Sequence, residues 1–122
     1  MGKKVLMVGW HPSAVTYDKY PGLTPEKLEA GLRADESRLA QLGYEARLAF
    51  IHSAETAASD VVGMLKDEAY DVVMIGAGVR KDDDHFLVFE RLVNTIHEHA
   101  PQARIAFNTG PTDSAAAIQR WA

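Results

Sequence analysis

The chain has 122 residues, of which 47% are hydrophobic and 25% charged, a balance typical of one globular domain spanning residues 1–122. Its net charge of −4 argues against a surface that neutralises nucleic-acid phosphates, and the lack of cysteine excludes disulfides, thiolate zinc sites and a Cys nucleophile. No apolar run is long enough for a membrane span and no leader is recognisable, so we expect a cytoplasmic protein without nucleic-acid or membrane contacts.

Strand-like and helix-like segments alternate from the first residues onward. The apolar run 5–8 predicts a strand that is buried on both faces. Thr24 is a suitable N-cap for a first helix, which Gly43 ends and in which Asp35 belongs to a charged, solvated face. The alternating segment 44–51 then predicts a strand at the edge of the sheet.

The same alternation continues through the second half of the chain. A second helix precedes the apolar run 72–75, which predicts another fully buried strand. One of the aspartates 82–84 begins a third helix, segment 103–107 predicts the other edge strand, and Thr112 begins a last helix.

Four strand–helix alternations predict an α/β fold with parallel strands joined by right-handed crossovers. Because the two continuous apolar runs belong at the centre, we expect a four-stranded sheet in the order 2-1-3-4, with helices on both faces. The first and last helices would cover one face, and the second and third the other. This three-layer sandwich resembles the flavodoxin-like and receiver-like folds with one strand missing.

Ligands of open parallel sheets bind at the carboxyl ends of the strands, where the strand order reverses. In the predicted order that point lies between strands 1 and 3. Three segments meet there, at residues 9–12, 76–80 and 108–112, and each contains residues that a plain connection does not require. The sequence therefore predicts a small-molecule site at this edge.

The connection after strand 1, from Trp10 to Thr24, is fifteen residues long, which is longer than most crossover loops. Trp10 and Tyr17 are candidates to enclose the apolar part of a ligand, although they can equally pack over the end of the sheet. His11 is the candidate general acid or base, since imidazole exchanges protons near neutral pH. The alternative role for His11 is a structural hydrogen bond within the loop.

Residues after strands 3 and 4 suit an anion. Gly76 and Gly78 permit close backbone approach, and Arg80 supplies a planar donor fork for a carboxylate or phosphate. Asn108 and Thr109 precede the last helix and are candidates to contact the same group. The alternative is an ordinary glycine turn followed by a solvated arginine.

Cofactor motifs are missing or displaced, and we expect no cofactor. The chain has no G-x-G-x-x-G dinucleotide motif. Segment 109–112 resembles the Thr-Gly-x-Thr part of flavodoxin phosphate loops, but it follows strand 4 instead of strand 1. Receiver domains carry an acidic pair after strand 1 and a phosphoacceptor aspartate at the end of strand 3, and this chain has Gly9 and Gly76 there.

A metal site is also not expected. The predicted strand order makes a metal site of His11, His52 and one of the aspartates 82–84 geometrically conceivable, but no closely spaced ligand motif such as H-E-x-x-H is present.

The third helix carries more apolar residues than one buried face requires. Leu87, Val88 and Leu92 lie beside its main stripe, which comprises Phe86, Phe89, Val93 and Ile96. Such a wide apolar surface predicts a homodimer through this helix. Burial of these side chains against the second helix is the alternative.

Together, these features predict a protein that binds a small anionic metabolite. An isomerase, lyase or hydrolase that uses no redox cofactor would be compatible with them. The alternative is a non-catalytic, receiver-like module that contacts a protein partner through its loops and third helix.

Overall fold

The computed structural model describes residues 2–122 and contains a single four-stranded sheet in the order β2-β1-β3-β4. All three neighbouring strand pairs are parallel, so the predicted fold class and strand order are confirmed. The strands are β1 (Lys4–Trp10), β2 (Glu45–Ile51), β3 (Val72–Ile75) and β4 (Arg104–Phe107). As expected from their continuous apolar sequences, β1 and β3 lie at the centre.

Five helices surround the sheet, one more than the sequence predicted. They are α1 (Pro25–Gln41), α2 (Ala57–Asp67), α3 (Ala77–Arg80), α4 (Phe86–His99) and α5 (Ser114–Gln119). The additional helix is α3, a single turn that begins directly after Gly76, where the sequence predicted an anion-contacting segment with a glycine turn as the alternative. The prediction that Thr112 begins the last helix was wrong, because Asp113 occupies the N-cap position of α5.

Local capping explains the bounds of α1. The Thr24 hydroxyl accepts a hydrogen bond from the Lys27 amide at 3.2 Å, and Pro25 occupies the first helical position. After the helix, Gly43 adopts a φ of +95°, a conformation that other residues rarely take. The segment before α1 is also partly ordered, with short 3₁₀ turns at Pro12–Ala14 and Tyr17–Lys19.

Helices α2 and α4 form a closely packed layer on one face of the sheet. Val61 of α2 and Leu92 and Ile96 of α4 are fully buried there, against side chains of β1 and β3 such as Leu6 and Val73. Because this layer excludes water along both helices, it supplies the larger part of the apolar core.

The buried face of α4 corrects two of the residues assigned to a homodimer surface. Val88 and Leu92 are 6% and 0% exposed and pack against α2, which was the alternative to self-association. Leu87 is 68% exposed, and its neighbour Phe86, expected in the buried stripe, is 57% exposed.

Helices α1 and α5 cover the opposite face less completely. Ala117 and Ile118 of α5 are buried with Leu39 near the end of α1, over Val5 and Val72. Leu39 is the single buried residue of α1. The N-terminal half of this helix buries none of its own residues, and Leu48 and Phe50 of the edge strand β2 stay partly exposed beside it. Within residues 2–122, every helix is too short or too polar to span a bilayer.

Candidate functional site

A cleft of about 450 Å³ lies between α1 and the sheet and reaches the carboxyl ends of β1 and β3. We call it the α1 cleft. Its volume lies within the range of small-molecule sites in proteins. The apolar lining comes from three strands, the loop before α1 and α1 itself, and comprises Met7, Leu48, Phe50, Met74, Leu23, Leu28 and Leu32.

Glycines account for much of this space. Gly9 of β1 and Gly31 of α1 both line the cleft, and a Cβ atom built on either would meet no atom within 4 Å. Gly76 lines it too, and a Cβ there would approach the Val8 carbonyl oxygen at 3.3 Å. Side chains are thus missing where α1 faces the centre of the sheet, and the helix leaves a gap.

Lysine ammonium groups border the α1 cleft on two sides. The Lys27 Nζ donates to the Gly22 carbonyl at 3.1 Å, and the Lys81 Nζ donates to the Thr109 carbonyl at 2.6 Å. Within residues 2–122, neither ammonium forms a salt bridge with a carboxylate. Their positive charges are therefore available to an anion. A third lysine on the border, Lys19, is different because it forms an ion pair with Asp84.

Asp35 lines the α1 cleft instead of pointing to solvent, so the prediction of a solvated face was wrong for this residue. Its Oδ2 accepts a hydrogen bond from the Ser114 hydroxyl at 2.9 Å, and the Asn108 amide donates to the same hydroxyl at 3.0 Å. Burial raises the pKa of the Asp35 carboxyl, and the negative charge of Asp113 raises it further. The sequence contained no signal for this contact, since 79 residues separate Asp35 from Ser114.

Asp82 and His85 form a second polar pair on the cleft lining. The His85 Nδ1 lies 2.8 Å from the Asp82 Oδ2, while the other carboxylate oxygen accepts from the Asp84 amide at 3.2 Å. The His85 ring packs edge-on against Trp10, with 5.1 Å between ring centroids. The sequence predicted helix capping for the aspartates 82–84, with a metal ligand as the less favoured role. The signal for this pair was a His three residues after an Asp.

Four of the residues predicted for the site line the α1 cleft: Trp10, Gly76, Gly78 and Asn108. The Trp10 Nε1 donates to the Gly78 carbonyl at 3.2 Å, which joins the end of β1 to α3. The Asn108 side chain is 6% exposed and accepts from the Ala77 amide at 2.7 Å. Asn108 therefore holds the ends of β3 and β4 together.

His11 and Tyr17 lie away from the α1 cleft. The His11 Nδ1 accepts from the Ser13 amide at 3.1 Å, and the ring stacks on His52 with 4.8 Å between centroids. The Tyr17 hydroxyl donates to the Pro12 carbonyl oxygen. Both side chains stabilise the loop after β1, which for His11 was the alternative to an acid–base role.

Arg80 and Thr109 also make contacts within the protein rather than lining the cleft. The Arg80 Nη2 donates to the Asn108 carbonyl at 3.0 Å, and the Thr109 amide and hydroxyl both donate to the Asp113 carboxylate. These bonds fix the loop after β4. The hydrogen bond from the Thr109 hydroxyl contributes most to a lowered pKa of Asp113.

No group of three or more His, Asp or Glu side chains in the described part of the chain, residues 2–122, is placed to hold a metal ion. His11 and His52 do lie side by side, as the strand order predicted.

No protein-family model matches this sequence, and no curated protein matches it either. The function therefore has to be inferred from the chemistry of the α1 cleft.

Proposed function

We propose that this protein binds a small amphipathic anion in the α1 cleft. The apolar body of the ligand lies on the side chains of the sheet and α1, among them Met7, Met74 and Leu32. A carboxylate, phosphate or similar group at the border is held by Lys27 and Lys81. The observation that supports this proposal is an apolar cleft bordered by two ammonium groups that, among residues 2–122, have no carboxylate partner, in a chain whose net charge is −4.

In this proposal Lys27 and Lys81 bind the anion, instead of the residues that the sequence predicted for that role. Arg80 and Thr109 were the expected contacts, but neither lines the α1 cleft. The Arg80 Nη2 donates to the Asn108 carbonyl, and within residues 2–122 its buried Nε has no partner; the Thr109 hydroxyl donates to the Asp113 carboxylate. An ammonium that donates to one neutral carbonyl keeps two further protons and its full charge. Lys27 and Lys81 are in that condition, at the exposed border of the α1 cleft.

A matched pair of dyes tests the proposal. Anilinonaphthalene sulfonate combines an aromatic body with one anionic group, and phenylnaphthylamine has the same body without the charge. We expect the sulfonate to bind to the wild-type protein with the higher affinity. Lys27→Gln and Lys81→Gln should each weaken sulfonate binding about tenfold, equivalent to about 1.4 kcal/mol, and leave the neutral dye unaffected.

Lys66→Gln is the control, because Lys66 is an exposed residue of α2 on the opposite side of the sheet and its replacement changes the net charge equally. Equal losses in all three variants would show a general charge effect and contradict the proposal. Equal affinity for both dyes would contradict it as well.

Native mass spectrometry of the protein as purified provides an independent test. We expect an adduct of small mass that is lost on acidification and is less abundant in the Lys27→Gln/Lys81→Gln double variant. The identity of that adduct would define the ligand class.

A second candidate function is self-association through the start of α4. It is favoured by the exposure of Phe86 and Leu87, at 57% and 68%, beside a surface groove that also includes Ala54 and Arg91. Sedimentation velocity should then give a dimer for the wild-type protein and a monomer for Leu87→Asp. Asn94→Asp adds a negative charge at another exposed position of α4 and should leave the dimer intact. A monomeric wild type would contradict this candidate.

A further inference from the structure

The α1 cleft contains a carboxylate–imidazole pair that ligand binding alone does not require. The side chains of Asp82 and His85 are 14% and 39% exposed, and both line the cleft. The lysines already supply charge for an anion, and neither member of this pair is needed to attract one.

The hydrogen bond between Asp82 and His85 determines which ring nitrogen can react. In a neutral imidazole one nitrogen carries the proton and the other a lone pair. Asp82 accepts at Nδ1, at 2.8 Å, so the proton resides there and the lone pair is on Nε2. In the part of the chain that the structure describes, residues 2–122, Nε2 has no hydrogen-bond partner.

Neighbouring groups restrict the motion of the pair. The Asp84 amide donates to the second oxygen of Asp82, and the Trp10 ring packs edge-on against His85. Trp10 is itself held by its bond to the Gly78 carbonyl. A base whose orientation is set before the substrate arrives loses little entropy in the reaction.

We propose that the α1 cleft is catalytic and that His85 is its general base, with Asp82 as the positioning residue. This inference rests on the proposed binding function. The substrate class is an amphipathic anion with a C–H bond next to a carbonyl. Nε2 accepts the proton, the C–H electron pair forms a C=C bond, and the carbonyl π pair moves to oxygen to give an enolate. The imidazolium then returns the proton to the same carbon, or to the γ-carbon of a substrate with a β,γ double bond, so the net reaction is an epimerisation or a double-bond isomerisation that consumes no other reagent.

A purely structural role of the Asp82–His85 pair is the alternative, and it predicts different effects of substitution. As an i, i+3 pair, Asp82 and His85 could simply close the short 3₁₀ turn at Asp83–His85. In that case their replacement would affect stability and would leave proton transfer unchanged.

The elimination of 5-nitrobenzisoxazole distinguishes these roles without knowledge of the natural substrate. A base removes the proton on the ring carbon, the C–H electron pair forms the nitrile, and the N–O bond breaks to release a coloured phenolate. We expect the wild-type protein to accelerate this reaction at least about 100-fold over the same concentration of free imidazole. His85→Gln should abolish the acceleration, whereas His97→Gln, at an exposed position of α4, should retain it.

Two further variants test the separate roles. Asp82→Asn should lower kcat about tenfold or more with little change in KM, because the ring loses its fixed orientation but the cleft keeps its shape. His85→Gly should recover part of the rate when imidazole is added to the solution. A loss of thermal stability in these variants with an unchanged elimination rate would show a structural pair and overturn the inference.

Binding of nitrobenzotriazole separates this inference from the proposed function. This molecule has nearly the same size and cannot eliminate, and quenching of Trp10 fluorescence in a Trp121→Phe background reports its binding. If it binds and elimination does not depend on His85, the catalytic inference is wrong and the binding function stands. If elimination is no faster than with free imidazole, the catalytic inference is wrong, and the binding function is wrong as well only if binding of the sulfonate dye does not depend on Lys27 and Lys81.

Discussion

The two faces of the sheet are covered to very different degrees. On one face, α2 and α4 bury Val61, Leu92 and Ile96 completely. On the other, α1 is the longest helix of the protein and buries only Leu39, while Leu28 and Leu32 remain partly exposed on the α1 cleft. The same four strands therefore support a closed core on one side and an open, apolar cleft on the other.

This difference shows how a chain of modest size can combine a stable core with an open cleft. Apolar surface that stays exposed forgoes about 25 cal/mol of stabilisation per Å². A protein tolerates that loss when the remaining core is sufficient, and here the α2–α4 layer supplies it. A ligand in the α1 cleft covers the surface that the fold leaves open, and it should therefore stabilise the protein.

The largest expected difference between the two faces is in the free energy of unfolding when one leucine on each face is truncated to alanine. Leu92→Ala removes a fully buried side chain and should lower the free energy of unfolding by about 2–5 kcal/mol. Leu32→Ala removes a partly exposed side chain that borders open space and should cost about 1 kcal/mol or less. Urea unfolding measures both values, and equal losses would mean that the two layers are packed alike.

A larger side chain in the α1 cleft should weaken ligand binding without lowering the stability of the protein. Gly9→Val introduces a side chain that suits a strand, at a position where a Cβ would meet no atom within 4 Å. We expect sulfonate-dye binding to weaken by at least about tenfold, with the thermal midpoint unchanged or raised. A strong loss of stability without loss of binding would show that the space beside Gly9 is closed in solution.

Helix propensity should act equally on both layers. Gly31 of α1 and Gly63 of α2 are both exposed, and neither would bring a Cβ within 4 Å of another group. Gly31→Ala and Gly63→Ala should each raise the free energy of unfolding by about 0.5–1 kcal/mol. A gain at Gly63 and a loss at Gly31 in the same unfolding assay would indicate that α1 packs more closely than the structure shows.

The smallest expected effect concerns Asp35 and depends on pH. Because burial raises the pKa of its carboxyl in the folded state, the folded protein holds this proton more tightly than the unfolded chain. Stability therefore falls as pH rises from the ordinary Asp value of about 3.9 through the raised value, and the penalty remains at neutral pH. Asp35→Asn removes the charge, so it should raise the thermal midpoint at pH 7 and have no such benefit below the ordinary value. A benefit that grows on acidification would contradict the assignment.

Much of the architecture could be predicted because it depends on local patterns. Residue periodicity distinguished strands from helices, and continuous apolar runs identified β1 and β3 as central. The region of the site followed from the position at which the strand order reverses. That inference correctly brought Trp10, Gly76 and Asn108 to one edge of the sheet.

The side chains that line the α1 cleft could not be predicted in the same way, because they depend on contacts between distant segments. Asp35 faces Ser114 only because α1 and α5 share a layer, and Arg80 is engaged by a carbonyl of the loop after β4. The sequence by itself determined the order of the strands and the edge of the sheet to which Trp10, Gly76 and Asn108 are brought. Only the tertiary structure decided that α1 leaves part of the sheet uncovered, and hence which charged groups border the space. The physical reason is that secondary structure follows short-range periodicity, whereas the pairing of polar groups depends on how the layers pack.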